Sequence, residues 1–230
     1  MTKILDPNTF CFILCSNNKT YLEECLYYIS LLHVPEGYCV DIISIPDATS
    51  MTSGYNEAMA ASNAKYKIYL HQDVFILYSD FLQAILDIFQ YDSTIGMIGM
   101  VGTVNLPCGA VMWFGPREGQ LYGLHQPAYE YTSYHYHLSE GLHVAEAIDG
   151  LMMITSVDLP WREDKFDGWD FYDISQSLEF RKAGYKIVVP EQSNPWCMHD
   201  DEILNLARYN HYRKICIMEY PEVFLPKIKG

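Results

Sequence analysis

Short apolar runs alternate with amphipathic segments over the first hundred residues of the chain. A continuous apolar run predicts a strand that is buried on both faces. Such runs occur at 10–15, 40–45, 68–70 and 95–101. Helical spacing of apolar residues lies between them and predicts helices that begin near Thr20, Ser53 and Ser79. Strand, helix and strand with short joins form the unit of a parallel sheet. The pattern therefore predicts an α/β fold with a mostly parallel central sheet flanked by helices.

Local signals set the expected ends of these helices. Thr20 and Glu23 have the spacing of a capping box, and Ser79 is a second candidate cap. Further on, the pattern predicts strands at 147–154 and 187–189. A helix from Asp173 to a stop at Gly184 lies between them. The end of the chain predicts a helix to about Met218, then a loose extension over 221–230 that could pack on a partner subunit in a homo-oligomer.

Residues 102–143 carry many aromatic residues and histidines without a clear period. A long irregular segment in a domain is often functional. It could be a lid whose aromatic rings hold a sugar, or a meander of irregular strands that covers the sheet. His135 and His137 are better explained as surface or packed histidines than as metal ligands, because no carboxylate or thiol partner recurs at ligand spacing.

Composition excludes several classes of protein. The chain has 230 residues, half of them hydrophobic, and a formal net charge of −14. This acidity argues against nucleic acid or an anionic membrane as a partner. No apolar run approaches the ~18 residues of a transmembrane segment, and the N-terminus lacks the features of a secretory signal.

Seven scattered cysteines without a CxxC pair favour a reducing compartment. We expect a cytoplasmic protein.

The triplet His71-Gln72-Asp73 follows the apolar run at 68–70 directly. In an open α/β sheet, ligands bind beyond the carboxyl ends of the strands. Asp73 is therefore placed to reach a divalent cation such as Mg²⁺ or Mn²⁺, which takes oxygen ligands and shares them with phosphates. The alternative is a solvated turn in which Asp73 only caps the following segment.

The order of motifs resembles the GT-A glycosyltransferases of the family-2-like group over about residues 10–200. The segments that carry the likeness are Thr20–Leu26, Gly54–Ala58, Tyr69–Val74, Asp149-Gly150, Tyr172-Asp173 and Phe180–Ile187. The last two resemble the ED…RKAGY segment of that family and are the most specific. Tyr69–Val74 stands where the family has its DxD motif, with His71 in place of the first acid. This substitution changes a contact to the donor ribose or to the metal.

The resemblance implies a transferase that moves a hexosyl or related sugar from a nucleotide-diphosphate donor to a hydroxyl. The expected acceptor is a glycan or lipid-linked glycan, as in polysaccharide biosynthesis. On the donor side it implies Asp73 and His199 as metal ligands, and Asp47 and His71 as contacts to the nucleotide. Asn56 could lie near the diphosphate or only begin a helix, Asp47 could be a turn former, and His199 could belong to an ordinary helix cap.

On the acceptor side the resemblance implies Asp173 as the base that takes the proton from the attacking hydroxyl, in a transfer that we expect to be inverting. Asp173 could instead be only the N-cap of its helix. Asp149, Trp169 and Asp170 are expected to border the acceptor; Trp169 could equally belong to a core or an interface, and Asp170 could be solvated.

The expected organisation is one GT-A domain over 1–220. It has a nucleotide-sugar-binding half at about 1–102, an acceptor-binding and catalytic half at about 103–200, and a C-terminal helix and tail over 201–230. Two alternatives stay open, an inactive glycan- or nucleotide-sugar-binding protein with the same fold and a nucleotidyltransferase. Against the latter, residues 16–19 contain no glycine for a phosphate loop.

Overall fold

A computed structural model describes residues 3–125, 130–135, 141–200 and 205–225. Its strands are β1 (Asp6–Ser16), β2 (Cys39–Pro46), β3 (Ala64–Leu70), β4 (Val74–Ile76), β5 (Ile95–Gly99), β6 (Val101–Thr103), β7 (Arg117–His125), β8 (Glu130–His135), β9 (Leu142–Ala145), β10 (Ala147–Ile148), β11 (Met152–Thr155), β12 (Lys186–Pro190) and β13 (Cys197–His199). The helices are α1 (Lys19–Ser30), α2 (Met51–Ala61), α3 (Phe81–Tyr91), α4 (Tyr172–Lys182), α5 (Tyr209–Glu219) and α6 (Pro221–Phe224), with a 3₁₀ turn at Met112–Phe114.

The larger sheet has the strand order β2-β1-β3-β11-β5-β12-β9. The strands β1, β2, β3, β5 and β12 run parallel to one another, while β11 and β9 run antiparallel to their neighbours. The centre of β1 is fully buried, as its continuous apolar run predicts. The fold is thus α/β, with a sheet that is mixed rather than purely parallel.

The antiparallel strand β11 sits between β3 and β5, and its first residue, Met152, pairs with the last residue of β3, Leu70. The Asp149-Gly150 turn before β11 is therefore brought to the carboxyl end of β3. The backbone N–H of His71 donates to the carbonyl of Leu151 at 3.0 Å. The register thus places the acidic turn beside the triplet that follows β3.

The smaller sheet has the order β10-β6-β7-β13-β4, and β8 pairs with β7. Two predicted strands are divided between the sheets. The run at 95–101 breaks after Gly99, so that β6 pairs with β7 and β10, and the run at 147–154 is interrupted by the Asp149-Gly150 turn. The run at 95–101 contains no polar residue that would mark its break, because the break reflects a change of partner strands. The irregular segment supplies β7, β8 and β9. His135 ends β8, and His137 lies outside the described residues.

Several helix ends differ from the sequence prediction. Asn18, not Thr20, caps α1, because its side chain accepts from the backbone N–H groups of Thr20 and Tyr21. The cap before α3 is Asp80 rather than Ser79. Asp173 is not the N-cap of α4; Phe171 holds that position, and Asp173 is in the first turn. Gly184 does follow the end of α4, with the positive φ of 88° that glycine adopts without strain.

The C-terminal region is more ordered than a loose extension. The helix α5 begins at Tyr209, and α6 follows it over Pro221–Phe224. Phe224 is buried in a cluster with Tyr212, Cys216 and Tyr220 of the same chain. The expected loose tail is therefore wrong for 221–224, because its apolar residues pack on this chain; residues 226–230 lie outside the described part.

All seven cysteines are free, and five of them are buried. In the described part of the chain, no helix has the length and apolarity needed to cross a bilayer.

A charged side chain is buried within β3. Lys67 has an exposure of 0%, and its Nζ donates to the carboxylate of Asp158 at 2.7 Å and to the carbonyl of Ala64 at 2.6 Å. Burial lowers the pKa of Lys67, although the adjacent Asp158 carboxylate opposes this shift. The pair ties β3 to the segment after β11.

We expect Asp158→Ala to lower the free energy of unfolding by about 3 kcal/mol, because it leaves the ammonium buried without its counter-charge. The double variant Lys67→Met with Asp158→Ala should recover most of this loss, since methionine has a similar length and no charge. Urea denaturation measures both values. Equal stabilities of the single and double variants would contradict this account of the pair.

Candidate active site

The carboxyl ends of β1, β2 and β3 meet at one edge of the larger sheet and form a cavity of about 440 Å³. Four of the residues predicted for the site line it, namely Asp47, His71, Asp73 and Trp169. Ligands in open α/β sheets bind at this edge because the loops diverge there and backbone groups are unpaired. The strand order thus gathers side chains that are far apart in the sequence.

His71, Asp73 and His199 form a cluster beside this cavity. One ligand atom from each of the three lies within 4.8 Å of the others. The Oδ1 atom of Asp73 is 3.5 Å from Nε2 of His199 and 3.9 Å from Nδ1 of His71. The sequence predicted Asp73 and His199 as metal ligands and left His71 as a contact to the donor nucleotide or to the metal; the geometry groups all three together.

Strand pairing brings His199 to this cluster. The short strand β13 runs antiparallel to β4, with His199 opposite Val74. The backbone N–H of Asp200 donates to the carbonyl of Asp73 at 2.9 Å. These backbone hydrogen bonds fix the distance between Asp73 and His199 independently of their side chains.

The electrostatics of the cluster suit a divalent cation. Burial raises the pKa of Asp73, but the neighbouring His199 and His71 outweigh it and hold this pKa below its ordinary value. Burial lowers the pKa of His71, which favours the neutral imidazole that metals bind.

Oδ1 of Asp73 is buried and has no hydrogen-bond partner among the described residues. A buried polar atom without a partner is costly. Two imidazoles and this carboxylate therefore fit a metal ion.

Gln72 organises the loop after β1, a role that sequence reasoning missed. Its Oε1 accepts from the backbone N–H groups of Asn17 and Asn18 at 3.0 and 2.9 Å, and its Nε2 donates to Oδ1 of Asn17 at 2.6 Å. Gln72 and Asn17 both line the cavity. Its place inside the His-Gln-Asp triplet could have marked Gln72 as a site residue. The sequence could not show its partner, because the loop after β1 is distant along the chain.

Asp47 follows β2 in a left-handed backbone conformation, with φ of 54°. Asp is one of the few residues other than glycine that adopts this conformation readily. Its N–H donates to the carbonyl of Ser16 at 3.3 Å, which ties the end of β2 to the end of β1. Asp47 is thus both a turn former and a wall of the cavity.

Two further acidic residues, Asp149 and Asp173, lie together at the Asp149-Gly150 turn. Asp173 accepts from the N–H of Gly150 at 3.3 Å and of Ile174 at 2.8 Å, and Asp149 accepts from the N–H of Leu151 at 2.8 Å. Burial and then the charge of Asp149 raise the pKa of Asp173 to about 7, against these backbone hydrogen bonds. A carboxyl with this pKa can exchange a proton near neutral pH. Neither acid is among the described residues that line the cavity.

The loop before α4 joins these two regions. Trp169 is 52% exposed and lines the cavity. Burial raises the pKa of Asp170, with Arg208 opposing the shift. Phe171 has a left-handed φ of 63°, which costs about 1–3 kcal/mol in a bulky residue. This turn directs Tyr172 inward, where its hydroxyl contacts Nε2 of His71.

Asn56 is used away from the cavity. Its Nδ2 donates to the carbonyl of Trp161 and to Glu163, each at 3.0 Å, and its Oδ1 accepts from the N–H of Trp161 at 2.9 Å. These bonds occupy the amide and anchor the segment before α4 to α2. Asn56 is therefore not among the residues that could hold a nucleotide in the cavity.

Comparisons with known proteins establish the family and the fold. The sequence model of the family described as "Glycosyltransferase like family" matches residues 11–220. No curated protein matches the chain in sequence. S. aureus TarS 1-349 in complex with UDP has a TM-score of 0.60 at 9% identity, with 95% of this chain and 67% of that chain covered. A structure of S. aureus TarS gives 0.57 at 8% identity, with 96% of this chain and only 40% of that chain covered.

A Drosophila beta-1,4-galactosyltransferase 7 mutant in complex with manganese, UDP-Gal and xylobiose is also similar, with a TM-score of 0.52 at 13% identity. The match covers 87% of this chain and 73% of that chain. At these identities the structural likeness establishes the fold alone, and the family match covers most of the chain. The chain therefore belongs to the glycosyltransferase-like family and is a glycosyltransferase with the GT-A fold.

Proposed function

We propose that this protein transfers a sugar from a uridine-diphosphate sugar to a hydroxyl of a glycan, with a divalent cation at the cluster of His71, Asp73 and His199. The observation that carries the proposal is this cluster at the edge of a cavity lined by Asp47. The similar structures support the donor class, since TarS is described with UDP and with UDP-GlcNAc and the galactosyltransferase with UDP-Gal.

The need for a cation follows from charge. No lysine or arginine is found among the described residues that line the cavity, and the chain as a whole is strongly acidic. A nucleoside diphosphate brings additional negative charge to a wall that already contains Asp47 and Asp73. When bound, the cation would supply the positive charge that stabilises the departing diphosphate.

The donor set favours Mn²⁺ over Mg²⁺. Imidazole nitrogen suits the later transition metals, carboxylate suits both ions, and Mg²⁺ prefers oxygen ligands. Two histidines and one aspartate thus select against Mg²⁺. The presence of manganese in the galactosyltransferase complex supports this choice.

The remaining residues hold the two substrates. Asp47 and the loop that Gln72 anchors at Asn17 present carboxylate, amide and backbone groups to the nucleotide. On the other side of the Asp149-Gly150 turn, Asp173 accepts the proton of the attacking hydroxyl. Asp149, Asp170 and Trp169 border the acceptor. One base suffices for an inverting transfer, because the hydroxyl attacks on the face opposite the leaving group.

The described geometry gives less support to the alternatives. Residues 16–19, at the end of β1, have the sequence Ser-Asn-Asn-Lys and lack the glycines of a nucleotidyltransferase phosphate loop. An inactive binding protein has no need of a carboxyl whose pKa is near neutral, as at Asp173. Turnover of a UDP-sugar separates this last alternative from a transferase.

We expect Asp73→Asn to abolish Mn²⁺ binding and the Mn²⁺-dependent binding of UDP, because the amide removes the anionic ligand. Thermal shift with UDP and MnCl₂, together and separately, measures both, since a ligand that binds the folded state raises Tm. Asp87→Asn is the matched control, because Asp87 is exposed on α3 and bonds only locally to Gln83. Retention of the Mn²⁺-dependent shift in Asp73→Asn would remove Asp73 from the site.

We expect Asp173→Asn to reduce kcat, measured as the formation of UDP, by about 100-fold or more, which is the usual effect of losing a general base. The Kd of UDP with Mn²⁺ should change little, because Asp173 does not line the cavity. The assay uses UDP-GlcNAc and UDP-Gal with a panel of glycan acceptors. A variant that keeps full turnover places the base at another residue.

The pKa of Asp173 also predicts a pH profile. Its carboxylate must be ionised to accept a proton, so kcat should rise with pH to about 7 and then level off. Asp149, Tyr172, Tyr209 and Cys216 are the titratable groups that surround it. The profile is measured at saturating Mn²⁺, so that protonation of the histidines does not limit the rate. A wild-type kcat that stays constant from about pH 5.5 to 8.5 would contradict Asp173 as the base.

A further inference from the structure

The two nitrogens of His71 have different surroundings. Nδ1 is turned toward Asp73, with 3.9 Å between Nδ1 and Oδ1. Nε2 is in hydrogen-bond contact with the hydroxyl of Tyr172. Nδ1 is therefore the atom that can face a cation in the cluster, and Nε2 is the atom that the protein holds.

A metal ligand must offer a lone pair, and a neutral imidazole has one nitrogen with a lone pair and one with a proton. Which nitrogen carries the proton is set by the partner of the other nitrogen. When Nε2–H donates to the oxygen of Tyr172, the lone pair of Nδ1 is directed toward Asp73. Loss of the Tyr172 oxygen removes the acceptor that favours this tautomer.

The ring of Tyr172 is fixed by its packing. It is 4% exposed, and its ring centroid lies 6.1 Å from that of Tyr55 and 6.2 Å from that of Trp161. Its hydroxyl lies directly over Gly150, where an added Cβ would overlap it. Gly150 thus leaves the space that the hydroxyl needs to reach His71.

We propose that Tyr172 is a positioning residue that holds His71 in the tautomer and orientation required to bind the cation through Nδ1. This inference rests on the proposed function, because it concerns the cation of that site. Tyr172 and the proposed base Asp173 are consecutive at the start of α4. One short segment therefore orients a metal ligand and carries the base.

The test compares Tyr172→Phe with Tyr55→Phe as a matched control. Both remove one buried hydroxyl from the same aromatic cluster. The hydroxyl of Tyr55 has no hydrogen-bond partner among the described residues, whereas that of Tyr172 contacts His71.

Titration calorimetry with MnCl₂ measures the Kd of the cation in the absence of nucleotide. We expect Tyr172→Phe to weaken Mn²⁺ binding by about 10-fold or more, the usual effect of losing a partner of a metal-bound histidine. The Kd of Tyr55→Phe should match the wild type.

A second measurement determines the tautomer in the wild-type protein itself. Nitrogen-15 and proton correlation spectra of the metal-free wild type, with His71 assigned from the spectrum of His71→Gln, report its tautomer. We expect the proton on Nε2. A proton on Nδ1 overturns the proposal, and so does a Tyr172→Phe protein that binds Mn²⁺ as tightly as the wild type. If the wild type bound no divalent cation, the metal site itself would fail, and this role of Tyr172 with it.

Discussion

The backbone pairing of β13 with β4 is the interaction on which the site depends. A cation needs several ligands at fixed distances, and side chains on separate loops rarely keep such distances. Here Val74 and His199 are paired in a ladder, and the N–H of Asp200 donates to the carbonyl of Asp73. The separation of Asp73 and His199 is therefore a property of the sheet. His71 joins them from the end of β3, one short turn before β4.

The insertion of β11 between β3 and β5 has a matching effect on the other side of the site. It brings the Asp149-Gly150 turn against the end of β3, and α4 begins on the far side of that turn. Asp173 is half-buried there beside Asp149, and the repulsion between the two carboxylates adds to the effect of burial on its pKa. Asp73, which follows β3, thus has a depressed pKa, and Asp173, at the start of α4, has a raised one. Environments that separate two carboxylates in this way suit them to different chemical roles.

Two of the three described non-glycine residues with a positive φ flank this site. Asp47 and Phe171 both have left-handed backbone conformations, one after β2 and the other before α4. Phe171 has the more costly conformation, since it is bulky and cannot bond its own backbone as Asp does. The surrounding core compensates for it, as Phe171 is buried with Ile174 and Tyr212. This arrangement turns the chain so that Tyr172 and Asp173 both point toward the Asp149-Gly150 turn.

The sequence by itself determined the α/β class, the order of the main strands and helices, and the acidic residues at the strand ends. These features depend on local hydrophobic periodicity and on motifs that each lie within a few residues. It could not determine that the run at 95–101 divides between two sheets, or that Asn18 rather than Thr20 caps α1, because both depend on which groups are nearby in space. The tertiary structure alone decided that His71 belongs with Asp73 and His199, that Gln72 holds the loop at Asn17, and that Asn56 bonds to Trp161. Each of these contacts joins segments from different parts of the chain, and only the register of the strands brings such segments together.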